Sequence, residues 1–171
     1  MTCKPIKNNS YPHENTSMED MLLEPITKKR LSKFLALKAQ TENHLERIAR
    51  MKSNEKFPAM RESDGSGHQS GASDRMANAV IKRLTYEEQI SEQINANLAE
   101  MDIIRKAIDA LEDPMEQEVL RLRYVDGDGF YKRMPWRDVA MCMYHDDDES
   151  KIRAVTRIHG RALENIRKVE I

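Results

Sequence analysis

The feature that most constrains this chain is a sustained apolar rhythm of three and four residues. Between Pro25 and Ser53, Leu31, Phe34, Leu37, Thr41, Leu45, Ile48 and Met51 recur at those gaps. That spacing lines them up along one side of an α-helix. A second stretch, ending at Leu111, repeats the rhythm with Ile90, Ile94, Leu98, Met101, Ile104, Ile108 and Leu111. At about 1.5 Å per residue the two helices are rods of roughly 40 and 55 Å. Each carries only a narrow stripe, so neither is stable alone in water. They must pair as an antiparallel hairpin, with a second copy of the chain, or both. Asn95 and Asn97 lie near the second stripe and are read as solvated residues beside the seam, although a buried Asn would fix register.

Apolar residues make up 39% and charged residues 33% of the chain, with aromatics at 5%. Helices with one buried stripe and one solvated face give that balance. The expected fold class is therefore all-α. Residues 1–24 are polar, with Pro5 and Pro12 interrupting any helix, and read as a flexible tail without the apolar core of a secretory signal. Residues 25–112 form the two long helices, with Pro25 placed in the first turn of the first. Residues 54–73, with Pro58, Gly65, Gly67 and Gly71, read as a linker between them. Ser73 or Asp74 is the expected cap of the second helix. No apolar run approaches about 18 residues, so no membrane span or membrane partner is expected. Cys3 and Cys142 are far apart and form no CxxC pair, so a reducing, cytoplasmic setting is expected.

Residues 113–171 change character. Asp113 and Pro114 open a helix as cap and first residue, with Val119, Leu120, Leu122 and Tyr124 as its apolar face. Asp126-Gly127-Asp128-Gly129 ends it. Pro135 and Trp136 open a short helix to about Tyr144, whose inward positions are Val139, Ala140 and Met143. Small Ala140 suits the close crossing of two helices. Asp146 and Glu149 have capping-box spacing ahead of a final helix, about Asp147 to Lys168. Its inward stripe is Ile152, Val155, Ile158 or His159, Ala162, Ile166 and Val169. Lys151, Arg153, Thr156, Arg157, Gly160, Arg161 and Lys168 fall largely on the other side. The whole chain has a formal charge of −1, so any attraction to nucleic acid must come from this one basic face. Cations neutralise phosphates, and Arg forks match base edges in the major groove.

The segment from Glu116 to Lys168 resembles region 4 of sigma factors. The matching elements are Val119-Leu120-Arg121-Leu122-Arg123-Tyr124, Asp138-Val139-Ala140 and Ala162-Leu163-Glu164-Asn165-Ile166-Arg167. Two long helices ahead of such a module, with Trp136 at its centre, resemble the ArpU/RinA-like phage and prophage transcription regulators. That resemblance implies a sigma region 4-like helix-turn-helix, with base reading near Arg153, Thr156 and Arg157 and phosphate contacts at Lys151 and Arg161. It implies double-stranded DNA as partner, RNA polymerase as a further one, self-association through the long helices, and a place on the bacterial nucleoid. The acidic run His145-Asp146-Asp147-Asp148-Glu149 departs from the sigma pattern, since carboxylates near DNA repel phosphate.

No catalytic, cofactor or metal site is expected, and the chain reads as a non-enzyme. Asp126 to Gly129 starts like a calcium loop, but Arg137 stands where an EF-hand needs its glutamate. The alternatives are a phage DNA-packaging or DNA-handling component that uses the same module, and a coiled-coil adaptor whose basic helix meets another protein.

Overall fold

The computed structural model describes residues 25–56 and 71–169. The expected tail at 1–24 and the middle of the expected linker lie outside the described residues. Among the described residues the architecture is all-α, with no strand. Helix α1 spans Lys28–Lys56 and α2 Gly71–Asp109. Helix α3 is Pro114–Leu120, continued by a π-helical turn at Arg121–Asp126. Helix α4 is Trp136–Tyr144 and α5 Glu149–Asn165, which tightens into a 3₁₀ turn at Ile166–Lys168. No described helix is long and apolar enough to cross a membrane.

Both long helices start differently from expectation. Thr27 begins α1: its carbonyl accepts the Leu31 amide at 2.9 Å and its Oγ1 the Arg30 amide at 3.3 Å. Pro25 thus lies ahead of the helix rather than in its first turn. Helix α2 begins at Gly71, so Ser73 and Asp74 lie inside its first turn and not ahead of it.

Helices α1 and α2 form an antiparallel hairpin. Arg30 meets Glu100 near its base, and Glu55 meets Arg83 near its far end. The seam follows a strict alternation of three and four residues. In α1 it passes through Phe34, Leu37, Thr41, His44, Ile48 and Met51, and in α2 through Ile90, Ile94, Asn97, Met101, Ile104 and Ile108, all buried or half-buried. Leu45 and Leu98 each fall one position off and stay half exposed, at 50% and 47%. Asn97 is therefore buried, contrary to its reading as solvated. Its Nδ2 donates to Thr41 Oγ1 at 3.3 Å and to Gln40 Oε1 at 3.4 Å. A 3.5-residue repeat keeps one face toward a partner, and this repeat puts Asn97 there.

Asp113 caps α3 as expected, its Oδ1 accepting the Met115 amide at 2.8 Å, with Pro114 first in the helix. Helices α3, α4 and α5 enclose a small core of Val119, Val139, Ala140 and Val155. A larger core joins them to the base of the hairpin. It holds Leu31, Phe34, Met101, Ile104 and Ile108 together with Leu120, Tyr124, Ala162 and Ile166. The apolar interior thus runs without a break across the turn at Glu112 and Asp113.

Candidate nucleic-acid interface

Helix α5 owes its orientation to its inward side. Val155, His159, Ala162 and, beyond its end, Ile166 are buried. At about 100° per residue the opposite side carries Arg153, Thr156, Arg157, Gly160 and Arg161, all exposed. A Cβ added at Gly160 would meet nothing within 4 Å, so this side is open. The structure brings four of the five expected contact residues onto that side. Lys151 stands apart: it lies roughly 160° around the helix from Arg153. It is half-buried, its Nζ 5.3 Å from the centre of the Tyr144 ring.

The four differ in how strongly they are held. Arg153 pairs with Glu149 one turn earlier at 2.7 Å, with both groups exposed. Arg161 reaches Asp113 at 3.7 Å and Glu116 at 3.8 Å. Thr156 Oγ1 donates to the Ile152 carbonyl at 2.8 Å. Arg157 forms no hydrogen bond or ion pair among the described residues, which leaves its fork open to an incoming acceptor. An exposed pair such as Arg153–Glu149 is worth under about 1 kcal/mol, so a phosphate can displace it, whereas Arg161 also leans on the buried Glu116.

Two of the four carboxylates of the acidic turn, Asp147 and Glu149, are ion-paired within the protein. His145 ends α4 in the left-handed conformation, φ 53°. Asp146 Oδ1 accepts the Asp148 amide at 3.0 Å, and Asp147 pairs with Arg137. Asp148 opens α5 through its carbonyl, which accepts the Lys151 and Ile152 amides at 2.9 and 3.0 Å. The expected capping box between Asp146 and Glu149 is not formed. The helix starts two residues later than the spacing suggests, and Glu149 turns to Arg153 instead. Internal neutralisation lowers the repulsion that this run would otherwise offer phosphate.

Behind α5 lies a polar cluster. Tyr124 Oη and His159 Nε2 are 3.0 Å apart, and the Trp136 ring meets His159 edge-on at 4.8 Å between centroids. The Arg123 guanidinium covers Trp136 at 3.8 Å and donates to the Met134 carbonyl. Burial, then the charges of Lys28, Arg123 and Arg133, pushes the His159 imidazole down to about 4, so it stays neutral near pH 7. Burial raises the Tyr124 phenol. Trp136, half-buried against the small core, anchors the start of α4 to His159 of α5. Ile158 and His159 compete for the inward position by spacing, and His159 takes it.

The loop from Asp126 to Pro135 is set by two residues. Gly127 adopts φ +68°, and a Cβ there would lie 2.6 Å from the Lys132 carbonyl and 3.0 Å from Leu35, so only glycine fits without strain. Asp128 Oδ1 accepts the Phe130 and Lys132 amides at 2.8 and 3.0 Å. These bonds, the Phe130 amide first, hold its carboxyl below the usual range. No protein-family model, curated protein or solved structure matches this chain.

Proposed function

We propose that this chain is a non-enzymatic, sequence-specific regulator of transcription of the phage or prophage type, and that α5 is its recognition helix in a sigma region 4-like helix-turn-helix. The observation that carries the reading is the division of α5. One side is locked into two apolar cores, and the other presents Arg153, Thr156, Arg157 and Arg161 beside open space at Gly160. A helix held this way can enter a major groove with its cations outward and its orientation fixed. Residues 149–165 carry four Lys or Arg against two Glu, a local excess that the near-neutral whole chain conceals. Lys151, set over Tyr144, would meet a flanking phosphate rather than a base.

The hairpin is the part available to proteins. Ile81, Leu84 and Leu98 are half exposed on α2, which supports contact with a second copy or with RNA polymerase. The DNA-packaging and adaptor readings gain no separate support from the geometry.

The test is selection of bound duplex from a random pool, then affinity of Arg153→Ala and Arg157→Ala on the selected site. Each variant should bind several-fold to a hundredfold more weakly, as loss of a base contact costs about 1–3 kcal/mol. Affinity should also fall steeply between 50 and 200 mM salt, roughly as expected for counterion release. Undiminished binding by both variants would remove α5 as the reading element.

A further inference from the structure

A cavity of about 660 Å³ opens where α1, the 127–135 loop and the start of α4 meet. Nine residues line it, among them Ser32 of α1, the cations Arg123, Lys132 and Arg133, and Trp136. Its volume falls within the range of small-molecule sites, roughly 300–1,000 Å³. Three of the nine lining residues are cations and none is a carboxylate. Elsewhere the buried Arg30 and the half-buried Arg83 have acid partners: Arg30 pairs with Glu100, and Arg83 with Glu55 and Glu87. Arg123 has none. It rests on the Trp136 ring, donates to the Met134 carbonyl, and leaves its Nε buried without a hydrogen-bond partner. Burial, only partly offset by the Tyr124 phenol and reinforced by the like charge of Arg133, holds the Arg123 guanidinium below its ordinary value. Lys28 is also close enough to act on His159 behind the cavity wall.

A desolvated cation without a counter-charge is costly to keep in a fold. An anion entering this cavity would remove that cost. The flat walls of Trp136, Tyr131 and Pro135 and the apolar floor of Leu35 and Ala36 suit an organic ring beside the charge. We propose that this cavity binds a phosphate group, with Arg123, Lys132 and Arg133 as its cationic ligands and room beside them for a body the size of a mononucleotide. The phosphate can belong to a free nucleotide or to a duplex backbone drawn to the start of α4. The chemistry is the same, and the site does not depend on α5 reading bases.

Trp136 is the chain's single tryptophan, so the cavity carries its own reporter. The experiment is titration of the full chain with inorganic phosphate, then AMP, then a duplex, excited at the red edge of indole absorption, with chloride at matched ionic strength as reference. A saturable change in emission with phosphate or AMP, weakened at least tenfold in Lys132→Glu/Arg133→Glu, assigns the site to a free ligand. A change with duplex alone, lost in the same variant, assigns it to backbone phosphate. Lys132→Gln serves if the double variant fails to fold. No saturable response to any of the three probes, or equal responses in wild type and variant, overturns the proposal.

Discussion

The two ends of the hairpin are built on the same helices by different means. At the base, Leu31, Phe34, Ile104 and Ile108 are fully enclosed and fuse with Leu120, Tyr124 and Ile166 of the C-terminal helices. Toward the far end the seam is bridged by polar groups. His44 Nδ1 and Tyr86 Oη are 2.6 Å apart, Arg83 links Glu55 and Glu87, and Lys52 reaches Glu87 at 3.3 Å. Apolar burial yields stability in proportion to area. Partly exposed ion pairs yield little and are screened by salt. The base is therefore the stable unit, and the far end is a register device that loosens first.

The strongest challenge to that contrast is Phe34→Ala. It should destabilise the whole described fold by about 3–5 kcal/mol, measured by chemical denaturation. A loss under 1 kcal/mol would mean that the base is not the stable unit. Next in size, Gly127→Ala should cost about 1–3 kcal/mol through its left-handed φ and the clash with the Lys132 carbonyl, and it should loosen the loop against Leu35. His159 predicts a pH effect of order 2 kcal/mol, the full shift being discounted for partial screening by solvent. Its folded value of about 4 lies below the ordinary 6.5, so the unfolded chain takes up the proton first. The stabilisation is complete above about pH 6.5 and is lost as pH falls toward 4. The stability difference between wild type and His159→Gln should shrink over that window, and a constant difference would contradict it. Asn97→Ala should cost about 1–2 kcal/mol by leaving Thr41 unpaired, with faster amide exchange confined to the far half of the hairpin. The smallest effect belongs to Arg83→Ala, a slight loss of stability in low salt that shrinks further at about 1 M as the pairs with Glu55 and Glu87 are screened. An effect larger than that of Phe34→Ala would invert the contrast.

The all-α class and the two rods were legible because a 3.5-residue rhythm survives over many turns. The residues misplaced by sequence are those where hydrophobicity and rhythm disagree. Choosing Leu45 and Leu98 follows apolarity, whereas geometry follows phase and takes His44 and Asn97. Stricter attention to alternating gaps would have found both. The basic side of α5 was legible for the same reason, and Lys151 was counted on that side because its charge was weighed above its angle. The capping box failed since Asp146, Asp147 and Asp148 offer competing starts, and Arg137, distant in sequence, decides among them by claiming Asp147. The cationic cavity was not legible, because its walls come from α1, the π turn and the loop, and only folding brings Ser32 beside Arg133.

The π-helical turn at Arg121–Asp126 bears on chain length. It closes on a Gly127 amide bonded to the Leu122 carbonyl, five residues back, at 3.1 Å. Each such turn holds one residue more than an α turn needs. A single deletion there can be absorbed by rewinding to ordinary α-helix, with the flanking segments still facing the same way. The same deletion in α5 would swing its arginines about 100° around the axis. Between Arg121 and Asp126 the molecule keeps a spare residue, a point where insertions and losses need not reach the surface that α5 presents.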